Sequence, residues 1–302
     1  FIGWLRYYHK IELLTSALNV YVDNNEKMSN IKEYIKSQGI EIKGIKFGKS
    51  KAQYFMDKDE NAIYQGISSI KYCNDQIADE LYELSKNHYD NFVDLLSDIV
   101  SKTSVDDRQL HILTTLNFFS EFGKNKYLLS IIDMYNLLGK CKTLKKDKIA
   151  SLNIREEDVR KCAEKETPKQ YSNVDKDKLV KLMISGLENK PLSIKEQIVY
   201  EQEYLGNIMY KNPKAPKDMY YVLECKFYKD KTKPYLMLYN MRDGEYLKTK
   251  ITSGKSFIES PFIAGNVINV KEFGERNKMK KVGGDWIKTD EKERIVKKWD
   301  VY

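Results

Sequence analysis

The feature that most limits how this chain can fold is a switch in hydrophobic period at Asn212-Pro213-Lys214-Ala215-Pro216. Before it, apolar residues recur at the three- and four-residue spacing that lines one face of a helix. Leu14 and Leu18 form one such stripe, and Met28, Ile31 and Ile35 a second. Ile77, Leu81 and Leu84 follow, then Phe92, Leu95, Leu96 and Ile99, then Leu128, Ile131, Ile132, Tyr135 and Leu138. Ser193-Ile194-Lys195-Glu196, just after Pro191, has the capping-box spacing that opens a further helix. These stripes are read as core. Two stretches interrupt the helices. Residues 39–45 and 62–70 hold short β-branched runs with glycines, and residues 140–172 are charged and read as a connector with short helices.

After the switch the period is two, as in a strand with one buried face. Tyr221, Leu223, Cys225 and Phe227 alternate with Val222, Glu224, Lys226 and Tyr228. Residues 234–241 and 245–251 give a second and third strand around the turn pair Asp243-Gly244, residues 253–260 a short helix or loop, and residues 266–273 and 294–302 two more strands. The expected fold class is multidomain α+β. A mainly helical N-terminal region precedes a small five-stranded β-barrel of the OB type, and the pattern also admits another small barrel.

Composition narrows the class further. With 302 residues, 41% apolar and 32% charged, the chain reads as a soluble globular protein that can hold two domains or one large one. No apolar run approaches the roughly 20 residues that span a bilayer, so no membrane partner is expected. The opening Phe1-Ile2-Gly3-Trp4 carries no initiator Met and no signal-peptide zones, and reads as the middle of a longer chain. Cys73, Cys141, Cys162 and Cys225 form no Cys-x-x-Cys pair, and the only histidines are His9, His88 and His111. Reduced thiols in a cytoplasmic protein are expected, with no metal site. A net charge of +8 favours a polyanionic partner without naming it.

Several blocks in order resemble one family. Gly3-Trp4-Leu5-Arg6-Tyr7-Tyr8-His9, Glu12-Leu13, Ala17-Leu18-Asn19 and Asp23-Asn24-Asn25-Glu26-Lys27 resemble the end of the fingers region of C-family replicative DNA polymerases, the DNA polymerase III alpha subunits. Lys10 stands where that family usually has proline. Gly39-Ile40, Lys46-Phe47-Gly48-Lys49-Ser50 and Tyr54-Phe55 resemble the next block. Ile63-Tyr64-Gln65-Gly66-Ile67-Ser68-Ser69-Ile70-Lys71 resembles the start of the family's helix-hairpin-helix region, and Phe92-Val93-Asp94-Leu95-Leu96 follows at the family's distance. Arg108, the helix from Ile112 to Leu116 and Phe118-Phe119-Ser120-Glu121-Phe122-Gly123 resemble its exit. Glu201-x-Glu203-x-Leu205-Gly206 resembles the helix before the family's OB domain. The resemblance implies late fingers over residues 1–60, a helix-hairpin-helix region over 61–139, a helical connector over 140–216 and an OB-like domain over 217–302.

It also implies function. The parent would be a DNA-directed DNA polymerase, a nucleotidyltransferase of DNA replication, and this segment its non-catalytic DNA-binding part. Magnesium is expected only for the parent, held by palm aspartates that the family carries upstream. Asp23, Asp106, Asp107 and Asp133 match no palm motif and read as turn, cap or helix-surface residues, and the family's phosphoesterase His/Asp cluster has no counterpart here. The hairpin turn Lys71-Tyr72-Cys73-Asn74 lacks the glycines that let a hairpin backbone approach phosphate. Lys71, Tyr72 and Asn74 remain DNA-binding candidates, Lys71 as a point charge, while Asp75 opposes an anion; the alternative is a capped turn that only packs.

In the β region, Tyr235, Met237 and Tyr239 share one strand face, and Tyr246, Lys248 and Lys250 share another. Rings beside lysines suit single-stranded DNA, on which bases stack while cations follow phosphates. A loop after the fourth strand adds Arg276, Lys278, Lys280, Lys281 and Trp286. Alternation leaves two readings open, rings outward toward DNA or rings inward as core. Sliding-clamp and other replisome partners are implied by the family alone, because Gln170-Tyr171-Ser172 and Gln197-Ile198-Val199-Tyr200 are poor clamp peptides. A stand-alone single-strand-binding module and a replisome scaffold are the competing functions.

Overall fold

The computed structural model of the protein describes residues 2–22, 24–139, 142–282 and 285–302; Asp23, Cys141 and the side chains of Lys280 and Trp286 lie outside what it describes. The chain divides into two units, Phe1–Gly206 and Asn207–Tyr302. Among the described residues no helix is long and apolar enough to cross a membrane.

The first unit opens with helices α1 (Ile2–Tyr8), α2 (Lys10–Val20) and α3 (Asn25–Ser37). The stripe residues Leu14, Leu18, Met28 and Ile35 are buried together with Ile40, Tyr54 and Ile63. The β-branched runs form a three-stranded sheet of β1 (Glu41–Lys43), β2 (Phe55–Asp57) and β3 (Ala62–Tyr64), with β3 in the middle. A 3-10 turn, Ile67–Ser69, then leads through a hairpin into α4 (Asp75–Leu84). Helices α5 (Phe92–Lys102), α6 (Asp107–Thr115) and α7 (Asn125–Leu138) complete a helical body whose stripes meet in one large core. Asn74, Asn91 and Asp106 cap α4, α5 and α6 by accepting backbone N–H bonds, which explains where each helix starts.

The stretch expected as a helical connector differs from expectation. It contains α8 (Lys146–Ser151), α9 (Glu156–Cys162), α10 (Lys176–Met183) and α11 (Ile194–Leu205), and also a sheet of β4 (Leu144–Lys145), β5 (Ala163–Glu166) and β6 (Gln170–Val174). The strands are two to five residues long. In β6 only Tyr171 and Val174 are buried, and Asn173 at φ 52° breaks the alternation, so the period-two signal is too short to read. Tyr171 and Val174 join the large core, so this stretch is part of the helical body.

A buried polar network seats α11 on that body. The Asn125 side-chain amide donates to the Thr115 carbonyl at 3.1 Å and to Gln197 Oε1 at 2.7 Å, and its oxygen accepts from Leu192 N at 2.8 Å. Gln197 in turn donates to Glu201 Oε1 at 2.8 Å. Asn125, Gln197 and Glu201 are all buried, and each is matched with a partner, as burial of polar groups requires.

The second unit is a five-stranded antiparallel sheet in the order β11-β10-β7-β8-β9, with β7 (Met219–Lys226), β8 (Tyr235–Asn240), β9 (Tyr246–Lys250), β10 (Val267–Val282) and β11 (Asp285–Val301). Helix α12 (Gly254–Glu259) lies between the third and fourth strands. The ladder is open, and its edges meet at one parallel bridge, Ile251–Val296, beside a bond from Thr249 Oγ1 to the Arg294 carbonyl at 2.8 Å. This is a small OB-like domain, curled rather than closed. Its core holds Tyr220, Val222, Leu236, Leu238, Ile268, Val270 and Trp299. The expected loop after the fourth strand is instead the outer part of a long ribbon, in which β10 and β11 pair from Ile268–Val301 to Val282–Asp285. Charged residues on both faces of the ribbon hide its alternation from a hydrophobic reading.

Gly66 sets how closely the hairpin approaches the rest of the first unit. Ile67 N and Ser68 N donate to the carbonyls of Lys51 and Ala52 at 2.9 and 3.0 Å, which draws segment 51–53 against the 3-10 turn. A Cβ on Gly66 would stand 2.5 Å from Ala52 O and from the Gln53 carbonyl carbon. Both are backbone atoms with no rotamer to yield. Gly66→Ala is expected to destabilise the protein by about 3 kcal/mol, at the upper end of the cost of overpacking. A denaturation curve checks this, and an unchanged midpoint would contradict the close approach.

Candidate nucleic-acid interface

The hairpin between the 3-10 turn and α4 is the first candidate surface. Tyr72 sits at φ 73°, a left-handed conformation in which glycine is the ordinary residue. Part of the local backbone is already engaged. Lys71 N donates to the Tyr204 carbonyl at 3.1 Å, Cys73 N donates to the Ile70 carbonyl at 3.0 Å, and the Tyr72 carbonyl accepts from Gln109 Nε2 at 3.0 Å. Asn74 Oδ1 accepts from Ile77 N at 3.1 Å, and Asp75 in the first turn of α4 is bonded by the Ser68 hydroxyl. The positive end of α4 therefore already has an oxygen cap and a carboxylate.

What the hairpin presents outward is side chain. The Tyr72 ring is 42% exposed, with the Arg108 guanidinium 3.4 Å from its centroid and Lys71 Nζ at 5.0 Å. The Lys71 ammonium, with Arg108 beside it, holds the Tyr72 phenol below its ordinary range. Among the described residues neither cation has a carboxylate within ion-pair distance. Burial, helped by the Asp106 carboxylate, pushes the Cys73 thiol up to about 12, so it stays protonated near neutral pH.

The second candidate surface is the outward face of β8 and β9. Leu236 and Leu238 point into the core, which places Tyr235, Met237 and Tyr239 on the opposite side. The register sets Tyr235 opposite Lys250, Met237 opposite Lys248 and Tyr239 opposite Tyr246. The ambiguity left by alternation is thus resolved with the aromatic and lysine residues outward. Tyr235 and Tyr246 are 47% and 54% exposed, and Tyr228 makes an edge contact with Tyr235 at 5.1 Å. Lys248 is exposed and has no ion-pair partner among the described residues.

Two residues of this face are less available than the sequence implied. Tyr239 is fully buried, and its hydroxyl donates to the Tyr210 carbonyl at 2.6 Å. The segment after Gly206 lies over it, with Asn212 N donating to the Met241 carbonyl at 2.7 Å. Tyr239 is therefore a packing residue, because the proline-rich boundary segment belongs to the sheet domain. Lys250 is tied to Glu293 at 2.6 Å, and Glu293 also holds Arg276 at 2.6 Å. Lys278 is likewise paired, with Glu291 at 2.9 Å.

Asp106 caps α6, Asp107 lies in its first turn and Asp133 lies on α7. Among the described residues no three His, Cys, Asp or Glu side chains are grouped to hold a metal ion.

Residues 39–129 match the family model of the helix-hairpin-helix motif, a span that runs from just before β1 into the first turns of α7 and includes the hairpin. No curated protein matches the chain.

Sequence reasoning assigned no site role to Arg108. It lies 36 positions beyond Tyr72, and only the packing of α6 against the hairpin brings the two together; a basic residue in the first turn of a capped helix is too common a signal to single out. The placement of α6 depends on His111, whose Nδ1 is 2.8 Å from the Asp107 carbonyl and whose Nε2 is 3.1 Å from Asp133 Oδ1 on α7. Burial disfavours the charged ring, but the Asp107 carbonyl and the Asp133 carboxylate outweigh it and raise the imidazole's pKa. The folded protein thus binds this proton more tightly than the unfolded chain. The resulting stability is full below about pH 6.5 and is lost as pH rises through the folded value. His111→Gln is expected to lower the melting temperature more at pH 5.5 than at pH 8.5. An equal loss at both would remove the charged clamp.

Proposed function

We propose that this chain is the DNA-handling part of a C-family replicative polymerase alpha subunit, holding template and primer DNA while a polymerising centre elsewhere in the parent protein does the chemistry. The observation that carries the reading is the outward face of β8–β9, where exposed Tyr235 and Tyr246 stand beside Lys248 on an OB-like sheet. Such a face suits single-stranded nucleic acid, since bases of any sequence stack on rings while cations follow the backbone. The helix-hairpin-helix match over residues 39–129 supports a nucleic-acid role independently. The order of the two along the chain, together with the family-like sequence blocks, supports the replicative polymerase over a stand-alone module. Magnesium, the sliding clamp and other replisome subunits belong to this proposal as attributes of the parent.

Fluorescence anisotropy with a labelled single-stranded oligonucleotide tests the binding role. Raising salt from 50 to 200 mM is expected to weaken binding on the order of tenfold, as release of a few counterions requires. Tyr246→Ala is expected to cost about 1–3 kcal/mol, the worth of one stacked base, and Lys248→Glu to weaken binding further. Absence of binding at low salt would sink the nucleic-acid reading, and unchanged affinity in Lys248→Glu would mark the face as a protein-docking surface. The polymerase assignment has its own test in the reading frame upstream of Phe1, which should encode palm aspartates; a frame that starts at this segment would overturn it.

A further inference from the structure

We infer that the hairpin binds a backbone phosphate of DNA through the side chains of Lys71 and Arg108 gathered around Tyr72, and not through its backbone N–H groups. The inference rests on the nucleic-acid reading above and adds the contact mode and a residue, Arg108, to it. A helix-hairpin-helix turn ordinarily works by close approach, since glycines leave the amides bare and the following helix offers its positive end. Here that route is narrowed at four points. Lys71 N is bonded to the Tyr204 carbonyl and Cys73 N to the Ile70 carbonyl, Asn74 caps α4, and the Asp75 carboxylate stands in its first turn. A phosphate brought to this helix end would meet a carboxylate.

The same turn gathers positive charge on its side chains. Tyr72 accepts the left-handed backbone that glycine would normally fill, at a cost in backbone strain. In exchange its ring becomes a platform, with the Arg108 guanidinium 3.4 Å from the centroid and Lys71 at 5.0 Å. A guanidinium held this close to a ring has less of its freedom left to lose when it donates to phosphate oxygens. Two contacts made by the Gln109 side chain fix the geometry. Gln109, next to Arg108, donates to the Tyr72 carbonyl at 3.0 Å, and the capping box Asp106–Gln109 sets the start of α6. Among the described residues neither Lys71 nor Arg108 has a carboxylate partner, whereas Lys250, Arg276 and Lys278 in the other unit all do. An uncompensated pair of cations, rigidly framed and exposed, is the arrangement expected for an anion.

The two contact modes give opposite expectations for one substitution. Tyr72→Gly restores the ordinary hairpin residue and relieves the left-handed strain. If the backbone were the binding element, this variant would bind DNA as tightly as the parent or more tightly. If the side chains bind, it loses the platform for Arg108 and weakens binding by about tenfold, roughly the worth of one charge-assisted contact.

The experiment uses the full 302-residue chain and a labelled 20-base-pair duplex, titrated by anisotropy at several salt concentrations. Arg108→Ala is expected to weaken binding about tenfold and to lower the slope of log affinity against log salt by about 0.9, one phosphate contact. Arg108→Lys keeps the charge but not the plane, and should restore the slope while recovering only part of the affinity. Tyr72→Phe keeps the ring and should bind like the parent. Parent-like or tighter binding by Tyr72→Gly, or an unchanged salt slope in Arg108→Ala, overturns the inference. Circular dichroism of each variant keeps loss of fold from counting as loss of contact, and Arg108→Lys carries the test if Arg108→Ala unfolds. If the parent chain itself does not bind the duplex or single strands, the nucleic-acid reading fails; if it binds and only these variants are silent, this contact mode alone fails.

Discussion

The buried amide of Asn125 is the interaction on which the packing of α11 in the first unit depends. It joins the end of α6, the segment before α11 and α11 itself through bonds to Thr115, Leu192 and Gln197. Each of these groups is cut off from water, and leaving any one unpaired would cost about 1–3 kcal/mol. The network therefore holds α11 in one position. That matters at the far end of the helix, where the Tyr204 carbonyl receives the Lys71 N–H of the hairpin. A polar network in the core thus seats the helix whose end receives one backbone N–H of the hairpin.

The sheet domain reaches a comparable result by different means. Its apolar face is specified by Leu236, Leu238, Val222 and Ile268, so the period of two forces Tyr235, Met237 and Lys248 to the other side. The segment following Gly206 then covers Tyr239 and leaves Tyr235 and Tyr246 open. Ion pairs divide the cations in the same way. Lys250 and Arg276 converge on Glu293, while Lys248 stands without a carboxylate among the described residues. A net charge of +8 says little about where anions would bind; the pairing pattern says more.

Much of this was legible in the sequence. The stripes through Leu81, Leu96 and Ile132 are core, the caps at Asn74, Asp106 and Ser193 start helices, and the switch to period two marks the sheet domain. The sheet of β4, β5 and β6 was not legible, because strands of two to five residues broken by a left-handed Asn173 give no run of alternation. Nor was the outer ribbon of β10 and β11, whose two faces are both polar. Of the candidate contacts, Tyr239 failed because alternation reports a face and not what lies over it. Arg108 escaped because its partner is distant in sequence, and only the packing of α6 against the hairpin brings them together.

Hydrogen exchange of the full chain with and without a saturating primer–template DNA tests the central claim, that both the hairpin and the β8–β9 face meet nucleic acid. The account expects slowed exchange in two separate regions, the hairpin with the start of α6 and the strands β8 and β9, with little change in β4 to β6. Protection confined to β4–β6 or to α1–α3, with the hairpin and the β8–β9 strands exchanging as in the free protein, would contradict it.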